Sequence, residues 1–437
     1  MLSSPRRINK EMDQLNEQIS TLRNALSKDY LSMLREPGGV LKHPFLVPGS
    51  AQYLDQLWDW DSWMTDVALR QVLLESGDPE VSERLIPYER GCILNFLAGV
   101  SYDGWVPYIL TRQGVDRPGD IYSRNMHKPC LAQHAAFLVQ QDGGDAEWLR
   151  EHFYALQSFL NNYRAHHRHA ATGLYFWQND HGIGVDNDPC TFGRPPRSSA
   201  SIYLNCLMYR ELLAAAYIAG QLGQQEVALH LNRDAENLCE SIREHCWDEW
   251  SGSYYSVDLN IRRMPTPEAG STEFPIHAGL PLDWPCLIQR IGVWSNFLPM
   301  WAGIATQEQA EHMVRGSLLD PLTFDSPSGV RTLSKLEKMY TVRASGNPSS
   351  WLGPVWGVSN YLVFRGLVRH GFEEEARTLC DRTIRLFARD IERFGALHEY
   401  YEPETGEPLL NRGFQNWNYL VLNMAAWRQG RPFVCEF

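Results

Sequence analysis

Basic charge is scarce in this chain. Its 437 residues hold 40 Lys and Arg against 52 Asp and Glu, a formal charge of −12, so the dense basic face of a nucleic-acid binder is missing. The nine cysteines are scattered, odd in number and without a CxxC pair, which argues against a zinc cluster or a disulfide framework and fits a reducing cytoplasm. No apolar run reaches the ~18 residues of a membrane span. The opening MLSSPRRINKEMDQLNEQIS has a basic pair with no apolar core after it, so it does not read as a secretory signal. Low-complexity tracts and repeated units are also missing, which sets disordered chains and simple α-solenoids aside.

What remains is the profile of an ordered globular protein, 44% hydrophobic and 21% charged. Apolar residues recur at helical spacing, as in Met12, Leu15, Ile19, Leu22, Leu26 and Leu31. The pattern predicts about twelve helices, over 8–34, 61–75, 82–99, 127–141, 146–168, 199–223, 225–247, 293–305, 306–318, 358–371, 373–395 and 414–429. Short strand-like pieces, 173–178 and 251–259, fall between them. Several helices come in pairs with connections of a few residues, which makes antiparallel neighbours. Between pairs the loops are long and rich in Trp, Asp, Pro and Gly. That rhythm predicts an all-α toroid of helical hairpins, with short turns on one face and chemistry on the long loops of the other. No Pro/Ser/Gly-rich linker divides the chain, so 1–437 reads as one domain.

The segment QLWDWDSW (56–63) places three Trp and two Asp within six positions. Asp59 or Asp61 can cap the following helix with Trp packed as a staple. Alternatively the rings form a floor under a sugar while the carboxylates accept bonds from its hydroxyls. GWVPYILTRQ (104–113) leads a Gly-Trp-x-Pro turn into Tyr108, Arg112 and Gln113. NPSSWLGPVWGVSNYL (347–362) and FQNWNYL (414–420) each set a Trp and an Asn at the mouth of a helix, as either core or ligand contacts.

Two segments supply isolated carboxylates. In HGIGVDNDPC (181–190), Gly182 and Gly184 permit backbone angles that other residues resist, and Pro189 stops a helix from continuing. Asp186 is thereby held on a bent loop. An Asx-turn is one alternative; a calcium loop of Asp180, Asp186 and Asp188 is another, though the Gly and distal Glu of an EF-hand are missing. In GALHEYYEPETGEP (395–408), Pro403 to Gly406 reads as a tight turn that leaves Glu402, Glu404 and Glu407 solvated. Glu399 sits instead among His398, Tyr400 and Tyr401, where burial raises a carboxyl pKa and neighbouring donors lower it.

In order, WDWD (58–61), GWVP (104–107), KPCLAQ (128–133), GVDNDP (184–189), SWLGPVWGVSNY (350–361), HEYYEPETG (398–406) and FQNW (414–417) resemble the clan of inverting glycosidases that includes trehalases and glycoside hydrolase family 63. The resemblance covers about 360 residues and implies an (α/α)6 barrel. It implies Asp186 as general acid and Glu399 as general base. The family usually has Glu-Ser-Gly before the acid, where this chain has His181-Gly182-Ile183-Gly184, and Arg after the Trp of W-x-G-P, where this chain has Leu352. Hydrolysing an acetal needs a proton on the leaving oxygen and a water deprotonated on the opposite face; two carboxyls about 6.5–9.5 Å apart do this. No metal or organic cofactor is needed. Asp186 must then stay protonated, through burial or a negative neighbour such as Asp188.

Substrate contacts are expected from Trp58, Trp60, Asp61, Tyr108, Gln133, Trp356 and Trp417. With all 437 residues taken up by the barrel and no carbohydrate-binding module, the expected substrate is a small cytoplasmic solute. The chain looks most like the bacterial branch that cleaves mannosylglycerate or glucosylglycerate. In that branch Arg197 and Tyr203 are similar to the pair that holds the glycerate carboxylate, with Arg112 in reserve. A trehalase or other α-glucosidase would share the acid and base without a cationic subsite. A sugar epimerase or isomerase would use a histidine pair among His127, His134, His277 and His398. Neither nucleic acid nor membrane is an expected partner, and the sequence leaves homo-oligomerisation open.

Overall fold

The computed structural model describes residues 5–115, 124–261, 284–343 and 349–437, and the side chains from residue 10 onward. Among these residues the chain forms twelve α-helices: α1 (Pro5–Asp29), α2 (Asp59–Ser76), α3 (Pro79–Ala98), α4 (Leu131–Gln141), α5 (Phe153–His166), α6 (Ile202–Gln221), α7 (Gln225–Cys246), α8 (Leu298–Ala302), α9 (Gln307–Met313), α10 (Gly357–Arg369), α11 (Glu373–Phe394) and α12 (Val421–Arg428). The even-numbered helices form an inner ring in which each packs on the next and α12 closes on α2, directly and through the 3₁₀ turn Asn416–Leu420. The odd-numbered helices make the outer layer: α7 packs on α6, α11 on α10 and α12, and α1 on α11 and α12. This is the expected (α/α)6 barrel.

Sequence decides which helix goes where. Inner helices are buried nearly all round: α2 buries every residue from Asp59 to Leu69. Outer α7 and α11 carry one apolar stripe and a charged face, the pattern of a helix that covers a core from one side. Short connections follow inner helices and are punctuated by local signals. Gly77, at φ 64°, ends α2, and Asp78 caps α3 by accepting bonds from the amides of Glu80 and Val81 at 3.1 and 3.2 Å. Long loops lead back into the N-terminal ends of the inner helices. One apolar core runs from Leu15 to Val434, and all nine cysteines are free.

Several expected boundaries move. The segment predicted from 127 becomes helical only at Leu131, and that from 199 only at Ile202, because Ser199–Ala200 pairs with Val257–Asp258. Residues 293–305 and 414–429 open with 3₁₀ turns, and 306–318 ends in a π-turn. The strand expected at 173–178 does not form; beyond a single bridge to Arg168, the peptide of Tyr175 is paired by the side chain of Asn205, which accepts from its N–H at 2.8 Å and donates to its carbonyl at 2.9 Å. The piece 251–259 divides between two small sheets. No described helix is long and apolar enough to cross a membrane.

Candidate active site

Inner-helix N-termini converge on one cavity of about 440 Å³. Trp60 and Asp61 come from the first turn of α2, Lys128 from the turn before α4, Trp356 from the residue before α10, and Trp417 from the 3₁₀ turn before α12; all five line the cavity. Helix N-termini favour negative charge, and the cavity gathers Asp61, Asp180, Asp186 and Glu399.

The loop bearing Asp186 is built by close packing. Gly182 has φ 71° and Gly184 φ 84°; a Cβ on the first would fall 2.5 Å from the Tyr108 ring, and on the second would collide with Cε of Lys128. Only glycine lets the backbone lie this close to both walls. Asn125 holds the loop from below: its amide donates to the carbonyls of Asn179 and His181 at 2.9 and 2.7 Å, and its oxygen accepts from the Gln178 amide at 2.8 Å. Asn187, at φ 54°, accepts from the Trp351 amide at 3.0 Å and ties the loop to the segment before α10. Asp188 turns beneath the loop as an Asx cap, accepting from the Cys190 amide at 2.9 Å, and burial lifts its pKa to about 6. It does not line the cavity. Among the described residues no three His, Cys, Asp or Glu side chains are placed to hold a metal ion.

Glu399 lines the same cavity as Asp186, close enough for the Asp186 charge to act on it. Its backbone pairs with Leu410 in a hairpin, and the adjoining Tyr400–Tyr401 pairs with Val355–Trp356. The side chain is 4% exposed. Burial raises its pKa to about 7, offset by donors from Asn411 and from Tyr53 at 3.3 Å, with the Asp186 charge pushing it up further. Neither Tyr53 nor Asn411 stood out in the sequence. Asn411 becomes legible only once the PETG turn folds the chain back on itself, and Tyr53 reaches Glu399 from 346 residues away.

The floor is aromatic. Trp351 stacks on Trp356 at 4.1 Å between centroids, Trp356 stacks on Tyr400 at 4.8 Å, and Trp60 meets Trp417 edge-on at 5.0 Å. Of these, Trp60, Trp356 and Trp417 reach the cavity, with Trp58, Tyr108, Phe192 and Phe414 on its walls. Asp59 does not cap α2 in the simple sense; it holds Lys128, accepting from Nζ at 2.8 and 3.0 Å and from the Lys128 amide at 2.9 Å. Asp61 faces the cavity and accepts from Asn416 at 2.5 Å; burial first, then the Asp59 charge, lift its pKa to about 8. At that value Asp61 also serves as a hydrogen-bond donor near neutrality.

Three expected contacts are placed elsewhere. Gln133 is buried within α4, donating to the carbonyls of Pro129 at 2.6 Å and Leu207 at 3.1 Å. Tyr203 is buried behind Trp60, packed at 5.8 Å, against Trp177 and Trp294. Arg197 is exposed on a left-handed bend at φ 62°, where its amide and Nε return to Gln178 at 3.2 and 2.6 Å. None of the three lines the cavity. Arg112 turns outward to the carbonyls of Glu36 and Pro37. Leu352 joins a small apolar cluster with Cys190, Val293 and Leu333. For an epimerase, His127 and His134 are buried behind the wall with pKa values lowered by burial to about 4 and 3, and His398 is engaged by Asp390. His277 lies outside the described residues.

Comparison with known proteins follows this geometry. The family model described as the mannosylglycerate hydrolase MGH1-like glycoside hydrolase domain matches residues 55–418. Mannosylglycerate hydrolase MGH1 of Selaginella moellendorffii is 30% identical over 169 residues, 37% of this chain and 30% of the relative. A cytosolic neutral trehalase of Kluyveromyces lactis is 25% identical over 276 residues, 58% of this chain and 31% of the relative. The chain spans about a third of the length of the curated relatives it matches. The GH63 mannosylglycerate hydrolase of Thermus thermophilus, crystallised with glucose, has the same fold, with a TM-score of 0.65 at 20% identity over 92% of this chain and 99% of that one. With 364 consecutive residues matched by the family model, the chain belongs to the MGH1-like glycoside hydrolase family.

Proposed function

We propose that this chain is an inverting glycosidase that cleaves a small α-linked solute, 2-O-α-mannosyl- or 2-O-α-glucosyl-D-glycerate, to free sugar and glycerate. The observation that carries the reading is that Asp186 and Glu399 line one Trp-floored cavity, near enough for the Asp186 charge to act on Glu399. Asp186 gives its proton to the glycosidic oxygen as the bond to the anomeric carbon breaks. Glu399, as carboxylate, takes a proton from the water attacking that carbon from the other face, leaving a hemiacetal of opposite configuration. Apolar faces of the sugar rest on Trp356 and Trp417, and Asp61 bonds a hydroxyl. The Selaginella relative supports a glycosylglycerate, and the cytosolic trehalase relative supports a cytoplasmic setting.

A second reading, a trehalase-like α-glucosidase, is favoured by one observation: Arg197 and Tyr203 do not reach the cavity. Proton NMR of the protein with α-linked disaccharides and glycosylglycerates separates the two. The expected result is glycerate and a sugar that appears first as the β anomer. An α anomer appearing first removes the inverting mechanism, and cleavage of trehalose alone selects the second reading.

A further inference from the structure

The loop that carries Asp186 rests on two side chains, and both are set by a residue that does not line the cavity. Gly182 lies against the ring of Tyr108, and Gly184 against the stem of Lys128, where a Cβ would also come within 3.2 Å of Nζ. Behind them stands Asp59, the first residue of α2, 1% exposed and outside the cavity lining. Its N–H donates to the Tyr108 carbonyl at 3.1 Å, continuing the pairing of Gln56–Trp58 with Ile109–Thr111. Its carboxylate accepts from Nζ of Lys128 at 2.8 and 3.0 Å and from the Lys128 amide at 2.9 Å. One residue of an inner helix thereby fixes both supports of the loop.

The Lys128 turn is held on every side. Its carbonyl accepts from Nδ1 of His127 at 2.7 Å and from the Cys130 amide at 2.6 Å, and the His127 carbonyl accepts from the Tyr163 hydroxyl at 2.8 Å. Glu211, buried on α6, accepts from the amides of Ala132 and Gln133 at 2.6 and 3.0 Å, and so caps α4 from a neighbouring helix. Stability does not account for a buried ion pair here, because apolar side chains of similar volume fill such a space as well. What the pair adds is direction. Three bonds to one carboxylate fix the course of the lysine stem, with Nζ 5.6 and 5.8 Å from the ring centroids of Trp60 and Tyr108.

We infer that Asp59 is a positioning residue for the general acid: through Lys128 and Tyr108 it sets where the Gly182–Asp186 backbone lies, and so the reach of Asp186 to the glycosidic oxygen. The inference rests on the glycosidase reading of the cavity. A proton donor has to come within about 2.6–3.2 Å of the atom it protonates, and about 1 Å of misplacement costs roughly 100-fold in rate. Glu399 is held separately, by Tyr53 and Asn411, so the water attack it serves is spared. Lys128 itself lines the cavity, which makes direct contact with the sugar the rival role.

The test uses the whole protein and sets the O-glycoside that wild type cleaves, glycosylglycerate or trehalose, against the matching α-glycosyl fluoride, which departs without a proton. Asp59→Asn is expected to lower kcat on the O-glycoside about 10- to 100-fold, with KM and the fluoride kcat each within about threefold of wild type. That change strands the Lys128 charge in the interior, so the double variant Asp59→Asn/Lys128→Met, which buries no charge, is measured beside it. The same asymmetry between the two substrates is expected there, without a further loss from the second change. Equal losses on both substrates in the double variant overturn the inference, as does an undiminished rate on the O-glycoside. A loss confined to KM also overturns it and makes Lys128 a sugar contact. In these cases the glycosidase reading survives. If wild type cleaves none of these compounds, that reading falls first and the inference with it.

Discussion

The two carboxyls proposed as catalytic are held in opposite ways. Asp186 rides a half-buried loop whose shape is set by glycines at positive φ and by side-chain amides: Asn125 grips its backbone from below, and Asn187 on the loop accepts from the Trp351 amide. Glu399 sits in a hairpin pinned to a neighbouring strand, 4% exposed, with two side chains bonded directly to its oxygens. Position on the acid side is a property of the backbone. On the base side it is a property of side-chain contacts and burial, which also set the titration. The two carboxyls should thus respond to different perturbations.

The largest effect should separate the roles. Glu399→Gln is expected to lose roughly 10⁴-fold in kcat on every substrate, because no other group deprotonates the water; Asp186→Asn loses a similar factor on a glycerate leaving group and far less on a glycosyl fluoride, which departs without a proton. Equal losses on the fluoride would remove the assignment of Asp186 as acid. Next come the direct contacts to the base. With Glu399 acting as the proposed base its ionised form is the active one, so kcat/KM should rise with pH up to about 7. Tyr53→Phe and Asn411→Ala each remove a donor that favours the ionised form, so the acidic limb moves to higher pH by roughly one pH unit; a limb that stays put refutes the clamp. On the acid side, Gly184→Ala drives a Cβ toward Lys128 at φ 84°. It should cost about 1–2 kcal/mol of stability and lower kcat with the acidic limb unmoved. The smallest effect is expected at Arg197→Ala, within about twofold on all substrates, measured as kcat/KM.

The same contrast explains what could be read in advance. Backbone-built features announce themselves locally: GIGVDNDP marks the bend by residue type, and helical spacing together with short connections gives the ring of hairpins. Features made by side chains meeting across the fold do not. Tyr53 and Glu399, or Asp59 and Lys128, are joined by packing that no local pattern encodes. Arg197 shows the reverse failure. Its distance along the chain from Asp186 is compatible with the cavity, but the left-handed bend there turns the guanidinium to Gln178. Helix starts shifted for a related reason, since the first turns of several segments tighten into 3₁₀ geometry or join a short strand where loops enter the ring.

Asp61 belongs to the first inner helix, and Asn416, which bonds it, to the turn that opens the last. That bond crosses the seam where the two ends of the barrel meet. A sugar resting on Asp61 and Trp417 would span the same join, so occupancy and closure become one equilibrium. Ligand would then resist the parting of α2 from α12 in proportion to its saturation, and the proposed binding site would double as the latch of the ring.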